Sequence, residues 1–61
     1  MIGKELSGWL NGLFIRGHIT EVIDEKSNNY IVTGIDGLKY RWYFNRRSPT
    51  CRCNKPIQAI V

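Results

Sequence analysis

The hydrophobic positions of this chain fall into two regimes. Up to residue 14, Ile2, Leu6, Leu10 and Phe14 recur every four residues, the spacing of one face of a helix. Beyond that point the apolar residues gather in short runs rich in β-branched and aromatic types, separated by polar clusters, as in strands and turns. Gly3, Gly8 and Gly12 each weaken an isolated helix by up to about 1 kcal/mol relative to Ala. Asn11-Gly12 is itself a strong hairpin dipeptide. Residues 2–12 therefore read as a short helix or turn across one end of the domain, with a strand pair turning at Asn11-Gly12 as the alternative.

From Leu13 the chain reads as extended. Leu13–Asp24 forms a first strand in which Ile15 and Ile19 share a face while Val22 falls on the other. Gly17 is the natural place for a bend or bulge to reset the register. The polar run Asp24 to Asn29 is a loop. Tyr30–Ile35 is a second strand, and Asp36-Gly37 supplies a two-residue hairpin turn. Leu38–Asn45 carries the clearest pattern. Leu38, Tyr40, Trp42 and Phe44 line one face, and Lys39, Arg41, Tyr43 and Asn45 line the other. Arg46–Lys55 is a polar, basic loop with room for a helical turn, and Pro56 opens a last strand, Ile57–Val61, paired and partly buried.

This order of a short N-terminal element, a long bent strand, a hairpin, a basic loop and a final strand resembles an SH3-like small barrel over residues 13–61. An OB-like barrel is the rival, but it ordinarily needs a longer chain and a helix between its later strands. The expectation is one all-β domain over residues 1–61, a small SH3-like barrel of four to five strands with a short N-terminal helix or turn. At 61 residues, 43% of them apolar and 23% charged, the composition is that of a small globular domain. Such a chain buries only about 60% of its unfolded surface, so the large side chains Leu38, Tyr40, Trp42 and Phe44 read as core. There is no room for a dinucleotide-binding fold of two βαβ halves, and no apolar run approaches the roughly 20 residues of a membrane-spanning helix. Glu5, Ser7, Gly8, Asn11 and Gly12 interrupt the apolar start, so a signal peptide is not expected and the location reads as cytoplasmic.

Charge sharpens the picture. The formal net charge of +4 averages two unlike parts. Residues 1–36 hold three Lys or Arg against five acids, a net of −2, while residues 37–61 hold six cations and no acid, a net of +6. A split of this kind points to a polyanionic partner. Lys39, Arg41 and Tyr43 project from one strand face, with Arg46, Arg47, Arg52 and Lys55 just beyond. Side chains on one strand face repeat every ~6.8 Å, close to the phosphate spacing of a nucleic-acid strand. The expected function is nucleic-acid binding, DNA or RNA, by phosphate neutralisation with weak sequence specificity. Tyr43 would stack on a base or sugar, a contribution of ~1–3 kcal/mol in single-strand binders.

Catalytic chemistry finds little support. His18 lies opposite the Ile15/Ile19 face without a nucleophile nearby in sequence, Asp24 and Glu25 share a polar loop, and Asp36 is explained by its turn. No phosphate-cradling glycine motif is present. Cys51 and Cys53, two apart, are poorly placed for a bridge, and with His18 they make three of the four ligands that structural zinc requires. The reading is a non-enzyme with no cofactor, no metal and no small-molecule substrate. Ser48, between Arg47 and Pro49, is a short match to a phosphorylation site that would cancel local charge. The rival reading is a regulatory protein-interaction module or homodimer, working through Trp9 or Trp42 or by strand addition at Ile57–Val61. Small accessory regulators of the kind phages or plasmids encode suit either one.

Overall fold

The computed structural model describes residues 2–45 and 54–60. Five antiparallel strands follow one another in space as in sequence: β1 (Glu5–Leu10), β2 (Leu13–Asp24), β3 (Asn29–Gly34), β4 (Lys39–Tyr43) and β5 (Lys55–Ile60). The sheet curls into a half-barrel, bringing its two outer strands against each other. A Cβ added to Gly8 of β1 would lie 3.0 Å from Pro56 Cδ of β5 and 3.3 Å from the Trp42 indole beneath. No ladder of hydrogen bonds joins β1 to β5 among the described residues. No helix occurs among them, so none is long and apolar enough to cross a membrane.

The N-terminal segment is a strand, not a helix. A spacing of four is also an even spacing, so Leu6 and Leu10 share a strand face as readily as a helix face. Both are half-buried against the core. Asn11 and Gly12 decide between the two, since both take positive φ, 51° and 82°, as a two-residue type I′ hairpin requires. The turn sets Leu10 opposite Leu13 and Trp9 opposite Phe14. Phe14 therefore leaves the apolar series that the spacing suggested.

Strand β2 has the predicted bounds, but its register resets elsewhere. The bulges fall between Ile19 and Glu21 and between Val22 and Asp24, and the first sets Val22 opposite the buried Tyr30. Gly17 has a different task. It pairs with Gly34 at a crossing so close that a Cβ on Gly17 would overlap the Thr33 carbonyl and lie 2.8 Å from Gly34 Cα. The two backbones approach this closely because neither residue carries a side chain.

The β3–β4 connection is a three-residue loop, Ile35 to Gly37, rather than the expected two-residue turn. Gly34 N–H donates to the Leu38 carbonyl at 2.7 Å, Gly37 N–H donates to the Gly34 carbonyl at 3.0 Å, and Gly37 takes φ 85°. The extra loop residue takes Ile35 out of the strand, and it is 84% exposed. Leu38, expected in the core, is exposed as well. It lies beyond the end of β4 opposite Gly34, which offers it nothing to pack on. Asp36 ties the loop down with one carboxylate oxygen accepting from Leu38 N–H at 3.0 Å and the other from Tyr40 O–H at 3.1 Å. Burial, and then the adjacent Asp36 carboxylate, push the Tyr40 phenol above its ordinary pKa.

The core is a cluster of Ile15, Ile19, Tyr30, Val32, Tyr40, Trp42 and Phe44. Tyr30 and Phe44 meet edge to face, with ring centroids 6.3 Å apart. The last strand begins at Lys55, pairs with β4 across a register shift, and buries only Pro56. Proline can occupy this outer strand because the sheet does not need its missing N–H.

Candidate nucleic-acid interface

The alternation of β4 places the candidate residues. With Tyr40 and Trp42 directed into the core, Lys39, Arg41 and Tyr43 occupy the outer face of the curl. Pairing with β5 extends this row sideways: Tyr43 lies opposite Lys55, Arg41 opposite Gln58, and Lys39 opposite Ile60. Lys39 and Lys55 are exposed, whereas Arg41 and Tyr43 are half-buried. Arg41 is flanked by the buried Ile31 on β3 and by Gln58 on β5. Its Nε is enclosed and has no hydrogen-bond partner. The stem thus lies along the sheet, and the end of the guanidinium fork is left as the reaching part, the part that grips a phosphate.

The division of charge along the sequence becomes a division across the sheet. The outer row through Arg41 continues over Ile31 to Glu21, and the row through Tyr43 and Lys55 continues over Asn29 to Asp24. The acids Glu21 and Asp24 therefore stand on β2 and the cations on β4 and β5, with β3 between them, while Arg16 lies farther along β2 beside Ser7. Two strand spacings are about 9–10 Å, comparable to the screening length in physiological salt. The cations are close enough to act together, and the acids are far enough away to leave them most of their field.

Arg46, Arg47 and Arg52, also candidates, lie outside the described residues, as do Cys51, Cys53 and Ser48. The ends of that segment are held together, since Asn45 N–H donates to Asn54 Oδ1 at 2.6 Å. Asn45 and Asn54, the described residues on either side of it, lie beside the Tyr43–Lys55 pair. His18 is exposed on the outer face of β2, as the alternation predicts. Among the described residues no three His, Cys, Asp or Glu side chains gather as a metal site.

Of the two tryptophans named as contacts in the rival reading, Trp42 is buried and Trp9 is exposed, and the sequence did not show that Trp9 pairs with Phe14. Trp9 and Phe14 face each other across the β1–β2 hairpin with ring centroids 5.0 Å apart and planes at 59°. They are 66% and 51% exposed. The signal was the Asn11-Gly12 turn, which pairs them once the segment is taken as a hairpin. Beside Phe14 an open depression of about 320 Å³ is lined by Glu5, Leu6, Ser7, Phe14 and Arg16.

Comparison with protein-family models, with curated proteins and with solved structures finds no match to this chain.

Proposed function

We propose that this protein is a small SH3-like barrel that binds nucleic acid through the outer face of β4 and β5, without catalytic chemistry of its own. The observation that carries the reading is the placing of Lys39, Arg41, Tyr43 and Lys55 on one outer face, with the acids of β2 beyond β3. Phosphates lie along the cations, Tyr43 contacts a base or sugar, and Arg46, Arg47 and Arg52 add charge from the segment between β4 and β5. Readout of base edges is weak, because a strand face with two lysines and one half-buried arginine presents few of the bidentate contacts that distinguish bases. The SH3-like part of the reading rests on the long bent β2, which pairs with both β1 and β3, and on the approach of β1 to β5.

A salt titration tests it. Six phosphate contacts predict a log–log slope of about −5 on duplex DNA and about −4 on a single strand. Arg46→Ala with Arg47→Ala should flatten that slope and weaken binding while leaving the thermal unfolding of the domain in place. Binding that is absent at low salt, or that does not change between low and moderate salt, refutes the proposal.

A further inference from the structure

Of the seven aromatic residues in the chain, Tyr30, Tyr40, Trp42 and Phe44 are buried, and Tyr43 lies half-buried on the basic face. Trp9 and Phe14 are left, held as an exposed pair by the register of the hairpin. A core this small has every reason to take up large apolar side chains, yet the pairing aims these two outward. Their neighbours include charged and polar residues. Arg16 follows Phe14 on the same face, opposite Ser7, and both line the depression beside the Phe14 ring, with Glu5 at its far end. On the other side, Gly8 meets Pro56 at the seam between β1 and β5. That contact brings β5, with Lys55 next to Pro56, alongside β1 and its Trp9.

We propose that Trp9 and Phe14 form a platform on which an unpaired base of a single-stranded nucleic acid stacks, with Arg16 holding a flanking phosphate and Lys55 the next segment of backbone. The inference rests on the nucleic-acid reading and narrows it to single strands. A paired base has both π-faces covered by its neighbours, whereas an unpaired one offers a face to an exposed ring. Cations beside the aromatic pair match a ligand that alternates rings with negative charge.

The experiment titrates the full chain with a single-stranded oligothymidylate and with a duplex of equal length, following tryptophan fluorescence. Trp42 is fully buried, so quenching reports Trp9. The single strand should quench and the duplex should not. Trp9→Ala and Phe14→Ala should each weaken single-strand binding by about 5- to 150-fold, with the salt slope and thermal unfolding unchanged, and Trp9→Phe should retain most of the affinity. Wild-type protein that binds neither ligand removes the nucleic-acid reading and this inference together. Salt-dependent binding that Trp9→Ala leaves untouched overturns the platform alone. So does a Trp9→Ala protein that sediments as a monomer where the wild type is a dimer, because the pair is then an interface between copies. Should Trp9→Ala fail to fold, wild-type quenching decides, and its absence on a bound single strand overturns the platform.

Discussion

The crossing of β2 and β3 at Gly17 and Gly34 makes Gly17→Ala the most informative single change for the fold. The added Cβ would overlap the Thr33 carbonyl and lie 2.8 Å from both Gly34 Cα and the Thr33 carbonyl carbon. Ordinary carbon–carbon contact is about 3.5–4.0 Å, so the two strands must separate by about 1 Å. These are backbone atoms, and no rotamer change relieves them. Overpacking of this kind costs about 1–3 kcal/mol. The separation also stretches ladder bonds on either side, including the 2.9 Å bond from Ile35 N–H to the Arg16 carbonyl, at about 0.5–1.5 kcal/mol each. A total of about 2–5 kcal/mol compares with a whole stability of about 3–9 kcal/mol for a chain of this length. Urea unfolding followed by Trp42 fluorescence should show a midpoint lowered by half or more, or no folded baseline at all. Gly8→Ala is the control. Its Cβ meets Pro56 Cδ at 3.0 Å and the indole at 3.3 Å, side-chain atoms that can shift, so the loss should stay near 1 kcal/mol. A Gly17→Ala protein within about 0.5 kcal/mol of wild type would refute the close approach of the two backbones.

Three further outcomes are expected. The Tyr30 hydroxyl is enclosed without a hydrogen-bond partner, and an unsatisfied buried group costs about 1–3 kcal/mol; Tyr30→Phe should be neutral or raise Tm by up to about 8 °C, and a fall of several degrees would contradict it. Tyr40 has its pKa raised by burial and by Asp36, so its contribution is complete below about pH 10 and is lost as pH rises through the higher folded value. Urea midpoints for wild type and Tyr40→Phe should therefore differ most at neutral pH and converge in strong alkali; a gap that widens above pH 10 reverses the sign and refutes the assignment. Lys39→Gln and Arg41→Gln should each reduce the salt slope of nucleic-acid binding by about 1, measured by titration at four or more salt concentrations, and unchanged slopes would remove the outer face of β4 from the interface.

Several features were legible along the chain because they are local. Two-residue alternation put Tyr40, Trp42 and Phe44 in the core and Lys39, Arg41 and Tyr43 outside it, and the structure agrees residue by residue. The bounds of β2 were marked by the Asn-Gly dipeptide before Leu13 and the polar run from Asp24 onward. The charge division needed only counting, although Arg46, Arg47 and Arg52 lie outside the described residues. Other features depend on which strand meets which. The spacing of Leu6 and Leu10 suits a helix or a strand equally, and the hairpin resolves it by giving β1 a partner. Leu38 follows the apolar alternation yet stays exposed, because the residue opposite it is Gly34. The bulges at Thr20 and Ile23 and the glycine crossing at 17 and 34 follow from the curvature of the half-barrel, and a one-dimensional pattern contains no curvature. Trp9 and Phe14 face each other at the surface only because the turn sets their register. The chain's own pattern says which side chains share a face, whereas burial is settled by what the fold places over that face.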